Sequence, residues 1–233
     1  MKYCFDVETD GFLNQCTKIH CIVLKNIDTN EILKLDNDKA VEELEKADLI
    51  IGHNIIKFDI PVLEKFYNFK PKGKVFDTIV ATRLLYPDVK ERDFQRKGFP
   101  TNCIGRHSLK AWGYRVGEYK EAFDTDWKEY SPEMLEYCIQ DVEVTDTLYK
   151  TIERRTYSQE AMDLEHEVAT LIFKQERYGF MFDKEEAVKL YSKLNARRLE
   201  LEDDLQKLFP PKLERTPFIP KVNNKARGYV KGE

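Results

Sequence analysis

The sequence lacks the cysteine spacings and the long apolar runs that mark several common protein classes. Its five cysteines include no Cys-x-x-Cys pair, so neither a zinc ribbon nor a thiol redox motif is indicated. Nowhere do 18 apolar residues run together, and no long apolar region stands at the N-terminus. We therefore expect no membrane helix and no secretory signal, and interpret the cysteines as reduced, packed thiols of an intracellular protein.

A net positive charge is also missing, which argues against tight nonspecific binding to duplex nucleic acid. The formal charge is −4 at pH 7, with 42% hydrophobic and 34% charged residues, which is typical of a globular protein with a core. The tail from Pro210 onward nevertheless carries six basic and two acidic residues. We interpret this tail as a solvated terminus, with a nucleic-acid contact as the alternative.

Strand and helix signals alternate through the first two thirds of the chain. Apolar runs at 2–7, 19–25 and 31–35 predict the antiparallel start of a sheet, and the run at 48–51 predicts a strand covered on both faces. Helical spacing recurs between and after these runs, and the predicted helices lie at 37–47, 60–67, 77–85, 108–112 and 131–154. This alternation predicts an α/β domain with a mixed central sheet flanked by helices.

Residues 87–105 interrupt this pattern. They are polar and contain Pro and Gly, so we predict a long surface loop, and such loops are often functional. Four basic side chains are candidates for gripping a nucleic-acid strand, although solvation is the commoner role of such residues: Lys90, Arg92, Arg96 and Lys97.

Two carboxylates, Asp6 and Glu8, stand at the end of the first predicted strand in "CFDVETDGF". Residues two apart on a strand point to the same face, and two carboxylates side by side repel one another in a partly buried site unless a cation lies between them. An Asp-x-Glu is expected about once by chance in a chain of this length. The pair is therefore either a divalent-metal site or a chance occurrence of two acids on the protein surface.

A second motif, "HNIIKFDIPVL", follows the buried strand at 48–51. Polar residues at the carboxyl end of an α/β strand stand where ligands bind, which makes Asn54 and Asp59 candidates. The alternative is a loop with Asp59 as the N-cap of the next helix and Pro61 in its first turn.

The third motif is "YCIQD", inside the helix predicted at 131–154. Tyr137 and Asp141 are four residues apart and so lie on one helical face. A tyrosine on an amphipathic helix lies more often at the edge of the core than in a catalytic site, and that is the alternative.

Taken in chain order, these motifs resemble the signature of the DEDDy 3′→5′ exonucleases, which have a ribonuclease H-like fold. The related DEDDh branch has a histidine five residues before the last aspartate, and that position holds Glu136. Longer stretches, among them "FDTIVATRLL", "HSLKAWGYRVGEYK" and "YCIQDVEVTDTLYKTI", are similar to the proofreading domain of family A DNA polymerases, particularly those of short-tailed lytic phages.

This resemblance divides the chain into two parts. Residues 1–157 correspond to the exonuclease domain. Residues 158–233 form a C-terminal helical extension, with helices predicted at 159–178 and 184–208 and the basic tail after them. The extension resembles the start of a polymerase thumb. Because 233 residues leave no room for fingers and palm, we expect no polymerisation by this chain alone.

The implied activity is metal-dependent 3′→5′ hydrolysis of single-stranded or frayed DNA ends to nucleoside 5′-monophosphates, in proofreading for a DNA polymerase. Two divalent ions, Mg²⁺ or Mn²⁺, about 4 Å apart would activate the water and stabilise the leaving oxygen. The implied ligands are Asp6, Glu8, Asp59 and Asp141. Tyr137 would orient the attacking water, and Thr9, Phe12 and Asn54 would contact the substrate, with Phe12 stacking on the terminal base.

The implied partners are single-stranded DNA 3′ ends and a polymerase portion that is separately encoded or missing. The helices after Ser158 and the basic tail are the expected interface with it. The implied location is the cytoplasm of a bacterial host, if the chain is phage-encoded. Two other functions stay open: an RNA-trimming exonuclease of the same superfamily, and a noncatalytic docking subunit of a split polymerase.

Overall fold

The computed structural model describes residues 1–118, 127–210, 212, 218–228 and 230–232. Parts of the predicted basic tail, including Glu214, Arg215 and Glu233, lie outside the described residues. The chain divides into two compact units, Met1–Gly179 and Phe180–Glu233. The domain boundary at 157 stays a prediction from the family resemblance, whereas the spatial division falls later along the chain.

A mixed sheet forms the centre of the first unit. Its described strands are β1 (Lys2–Thr9), β2 (Ile19–Asn26), β3 (Ile32–Leu33), β4 (Leu49–Gly52) and β5 (Lys74–Asp77). They stand in the order β3-β2-β1-β4-β5. The β1–β2 and β2–β3 pairs are antiparallel, and the β1–β4 and β4–β5 pairs are parallel. The predicted fold class is confirmed, and β1 is the central strand.

Seven described helices accompany this sheet: α1 (Asn37–Glu45), α2 (Asp59–Tyr67), α3 (Thr78–Leu85), α4 (Val89–Phe94), α5 (Leu109–Val116), α6 (Pro132–Glu153) and α7 (Gln159–Tyr178). The second unit contains α8 (Lys184–Leu208) and a 3₁₀ turn at Lys225–Arg227. Among the described residues, no helix is both long enough and apolar enough to span a bilayer.

Strand β1 divides the core of the first unit into two apolar clusters. Tyr3, Phe5 and Val7 pack in a cluster with residues of α1 and α2, whereas Cys4 belongs to a cluster with residues of α3 and α6. Side chains alternate between the faces of a strand. Asp6 and Glu8 therefore follow Cys4 onto the face of the sheet that α6 covers.

The prediction of an unbroken loop at 87–105 was wrong. The segment contains α4 and a 3₁₀ turn at Thr101–Cys103. Asp93, inside α4, is buried and accepts two hydrogen bonds from the guanidinium of Arg115 at 3.0 and 2.8 Å. A helix of six residues is too short for a clear apolar period, and the partner that stabilises it lies 22 residues away.

Helix α5 also continues past its predicted end. The sequence placed a stop at Gly113, but the helix runs to Val116 and ends at Gly117, whose φ of 87° is left-handed. Gly113 is needed for close packing instead, because a Cβ at this position would approach the carbonyl oxygen of Glu118 to 2.5 Å.

Candidate active site

Strand β1 places two carboxylates at the carboxyl end of the central strand. Asp6 is half-buried and Glu8 is buried, and both are on the α6 face of the sheet. Glu8 lies opposite Cys21 of β2, and a register irregularity follows between Glu8 and Thr9. The pairing with β2 continues through both acids, so the two acids are held by a rigid element.

Asp59 joins these acids from helix α2. Its Oδ1 accepts a hydrogen bond from the backbone N–H of Val7 at 3.1 Å, and Val7 lies between Asp6 and Glu8 in the chain. The alternative interpretation of Asp59 as a helix N-cap was wrong, because the N-cap position is Phe58, which makes no side-chain capping bond. The carboxylate points toward β1 instead.

The electrostatics of Asp59 fit a cation site. Burial raises the pKa of Asp59 well above its usual range, and the nearby charges of Asp6 and Asp77 raise it further, against the lowering effect of the Val7 N–H. Negative charges held this close in a buried site are destabilising unless a cation offsets them. Carboxylate oxygens are also the donors that Mg²⁺ and Mn²⁺ prefer, so the donor set fits these ions.

Helix α6 is attached to β1 through two thiols. Cys138 donates weak hydrogen bonds from its Sγ to the backbone oxygen of Asp6 at 3.5 Å and to Asp6 Oδ2 at 3.6 Å. Cys4 donates from its Sγ to the backbone oxygen of Val142 at 3.6 Å. Asp141 is buried and lies three residues after Cys138, so the two share a face of the helix. The two thiol contacts thus attach α6 to β1 on either side of Asp141.

Tyr137 lies at the start of the same helical turn. Its ring is half-buried and meets the ring of Trp127 edge-on, with 5.8 Å between centroids and an interplanar angle of 78°. The backbone oxygen of Trp127 is 2.8 Å from His20 Nε2, which connects this aromatic pair to β2. The sequence contained no pattern that paired Trp127 with Tyr137.

The three candidate substrate residues have different environments. Thr9 is buried, and its Oγ1 donates to the backbone oxygen of Gly11 at 2.8 Å. Phe12 is 79% exposed, so its ring is not part of the core. Asn54 has a left-handed φ of 69°, and its side chain is half-buried at the carboxyl end of β4.

Asp77 is a site-building residue that no sequence pattern indicated. Its buried carboxylate accepts hydrogen bonds from the backbone N–H groups of Asn54 at 2.7 Å, Ile56 at 3.0 Å and Ile79 at 3.0 Å. It therefore caps α3 and also holds the turn that runs from Asn54 toward Asp59. The sequence predicted Asp77 as the first residue of the helix at 77–85, and no pattern connected it to the Asn54 turn.

Helix α7 contacts this residue from the other side. The backbone N–H of Asp77 donates to His166 Nε2 at 2.8 Å, and His166 Nδ1 lies 2.7 Å from the backbone oxygen of Met162. Because Nε2 accepts, Nδ1 carries the proton and donates.

Two of the basic residues in the 87–105 segment contact groups of the protein itself. Arg92 forms an ion pair with Asp88 at 2.7 Å, and Arg96 donates to the backbone oxygen of Arg115 at 3.3 Å.

Comparison with known proteins identified relatives by sequence. No protein-family model matches the chain. The DNA-directed DNA polymerases of Escherichia phage T7 and Enterobacteria phage T3 are each 32% identical to it, over an alignment 257 positions long that covers 88% of this chain. The chain spans 36% of the length of each of these polymerases.

Comparison with solved structures concerns the fold alone, because the identities are low. A structure described as the apo form of the nuclease has a TM-score of 0.50 and 22% identity, covering 74% of this chain and 79% of that one. Brucella melitensis NrnC bound to pGG has a TM-score of 0.50 and 20% identity, with the same coverage. The chain is therefore a homologue of the phage T7 and T3 DNA polymerases over most of its own length, and it shares the ribonuclease H-like fold of solved nucleases.

Proposed function

We propose that this chain is a metal-dependent 3′→5′ exonuclease that shortens single-stranded or frayed DNA ends and proofreads for a DNA polymerase. The observation that supports this most directly is the hydrogen bond from Val7 N to Asp59 Oδ1 at 3.1 Å. It places an acid of α2 against the strand that holds Asp6 and Glu8. An acid 52 residues further along the chain thus contacts the backbone between Asp6 and Glu8.

In this proposal Asp6, Glu8, Asp59 and Asp141 hold two divalent ions, Mg²⁺ or Mn²⁺. When bound, such ions supply an activated water and stabilise the oxygen that leaves in phosphodiester hydrolysis. The rigid strand and the Val7 contact orient the first three carboxylates, and α6 orients the fourth. Tyr137 positions the attacking water through its phenol, which both donates and accepts hydrogen bonds.

The proposed substrate contacts are an exposed ring, a half-buried amide and a buried hydroxyl. The ring of Phe12 is 79% exposed and is available to stack on the terminal base, an interaction that tolerates any sequence. Asn54 extends from the turn that Asp77 holds, and Thr9 follows Glu8 directly on β1. We propose that these two residues contact the sugar and phosphate of the terminal nucleotide.

DNA is the proposed substrate because the relatives identified by sequence are DNA polymerases. RNA trimming is the second candidate, since NrnC, which shares the fold, has been solved with pGG bound. The two are separated by giving the purified chain matched 5′-labelled single-stranded DNA and RNA with Mg²⁺. Stepwise shortening of the DNA with release of mononucleotides supports the proposal, and RNA preference supports the second candidate.

Two variants serve as controls in this experiment. Asp6→Asn removes a proposed ligand charge and is expected to abolish shortening, as is EDTA with the unmodified chain. Asp204→Asn changes an exposed acid of α8 and is expected to have no effect. Full activity in Asp6→Asn would refute the assignment, and an inert unmodified chain would favour the noncatalytic docking subunit.

We further propose that the chain works with a polymerase portion, because its relatives carry one and it covers only part of their length. The residues after Ser158 remain the proposed interface. Helix α7 is part of the first unit and packs there through His166 and the buried Met162, so a deletion test should keep it. Loss of co-purification with a homologous polymerase portion when residues 180–233 are removed would support this interface, and unchanged recovery would contradict the part of it that lies after residue 179.

A further inference from the structure

A buried thiol lies among the acids of the candidate site. Cys138 is fully buried, and its Sγ is 3.6 Å from Asp6 Oδ2. One donor atom from each of Asp6, Glu8 and Cys138 can be chosen so that all lie within 4.8 Å of one another. From the sequence Cys138 is predicted only to be a reduced, packed thiol, because its position relative to β1 depends on how the helix packs.

The spacing of this thiol and this carboxylate matches the coordination sphere of a soft cation. Zn²⁺ binds thiolate sulfur at about 2.3 Å and carboxylate oxygen at about 2.0 Å in tetrahedral geometry, so the two donors stand about 3.5 Å apart. The observed separation is 3.6 Å. Glu8 offers a third donor atom within 4.8 Å of the other two.

The chemistry of the donors separates two classes of ion. Mg²⁺ and Mn²⁺ take oxygen donors and gain little from sulfur, whereas Zn²⁺ and Cd²⁺ bind thiolates strongly. A site with two carboxylates and one thiol therefore favours the second class. The carboxylates come from a central strand and the thiol from a packed helix, so the three donors are held by rigid elements of the first unit.

We propose that Asp6, Glu8 and Cys138 form a binding site for thiophilic divalent cations, and that such a cation competes with the hard ions for the same carboxylates. Binding replaces the S–H bond of Cys138 with a metal–sulfur bond and releases the proton to solvent. The competition rests on the proposed nuclease function, whereas the cation site itself does not.

Cadmium alone is the direct probe of this site. The reduced, metal-free chain is titrated with Cd²⁺ while the ultraviolet charge-transfer absorption of a cadmium–thiolate bond is recorded. We expect a signal that saturates at one ion per chain and is lost in Cys138→Ala and in Cys138→Ser. Cys103→Ala, which removes a buried thiol of the Thr101–Cys103 turn, should keep the signal.

Three results would overturn the site. They are an unchanged signal in both Cys138 variants, a signal that disappears in Cys103→Ala, and a signal that disappears in Cys21→Ala but persists in Cys138→Ser. Thermal unfolding of each variant shows that it is folded, and the serine variant keeps the side-chain size if alanine destabilises the helix. Asp6→Asn should weaken Cd²⁺ binding roughly 10- to 100-fold.

The nuclease assay then tests the competition separately. Cd²⁺ is expected to inhibit Mg²⁺-supported DNA shortening, and Cys138→Ser should need roughly 10- to 100-fold more Cd²⁺ for half-inhibition of its own rate. A cadmium–thiolate signal in a chain without nuclease activity would uphold the site and refute the proposed function. DNA shortening without any such signal would uphold the function and refute the site.

Discussion

The carboxylate of Asp59 accepts a hydrogen bond from the backbone N–H of Val7 across 3.1 Å, although 52 residues separate the two in the chain. Val7 lies between Asp6 and Glu8, so this contact determines where the third carboxylate stands relative to the first two. Because Asp59 is also the first residue of α2, the position of that helix and the geometry of the acids depend on each other.

The first prediction concerns Asp59 itself. Asp59→Asn keeps an oxygen that accepts from Val7 but removes the negative charge, so the fold should survive while ion binding weakens. We expect DNA shortening with Mg²⁺ to slow by roughly 10²- to 10³-fold, measured by single-turnover gel assays. A variant with nearly full activity would show that the charge of Asp59 is not used.

A second prediction concerns Tyr137. Tyr137→Phe keeps the edge-on contact with Trp127 but loses the phenol oxygen, so the attacking water is less well oriented. We expect the single-turnover rate to fall by roughly 10- to 100-fold, less than for a group that transfers the proton itself. Tyr130→Phe, at a tyrosine that is 51% exposed, is the matched control and should keep the full rate.

A third prediction concerns the hydrogen bonds of Asp77. Asp77→Ala removes a helix cap and leaves the N–H groups of Asn54 and Ile56 without their acceptor, which should cost roughly 2–4 kcal/mol of unfolding free energy. Asp36→Ala removes the cap of α1 and an exposed ion pair with Lys39, and it should cost about 1 kcal/mol. Urea unfolding followed by circular dichroism measures both. Equal losses would contradict the role of Asp77 in holding the turn.

A fourth prediction concerns pH. Burial of His107, together with the positive charges of Arg115 and Arg83, lowers the pKa of its imidazole below the usual value, against the smaller effect of Asp93. Between the lowered pKa and the unfolded value of about 6.5, the unfolded chain binds more protons than the folded one. The contribution of His107 to the free energy of unfolding is therefore fully present above about pH 6.5, and it is lost as the pH falls through the folded pKa.

The measurement is the urea midpoint between pH 8 and pH 5 for the unmodified chain and for His107→Gln. Glutamine does not titrate, so the variant should lose less stability across the acid part of this range. A decline as steep in the variant as in the unmodified chain would show that other groups produce it.

Much of the architecture could be predicted from local patterns. The helices at 132–153, 159–178 and 184–208 agree with their predicted bounds within two residues, because each is long, has a clear cap and keeps helical spacing. The antiparallel opening of the sheet and the buried β4 also agree. The segment at 87–105 could not be predicted, since α4 depends on the buried pair of Asp93 and Arg115.

The sequence by itself determined that Asp6 and Glu8 share a face of a strand and that Tyr137 and Asp141 share a face of a helix, because those relationships depend only on the periods of the two structures. Only the tertiary structure decided that Asp59 accepts from Val7, that Asp77 holds the Asn54 turn and that Cys138 reaches Asp6. The physical reason is that each contact joins two residues that stand 23 to 132 positions apart in the chain. Such contacts form only when the elements pack, and no local pattern encodes them.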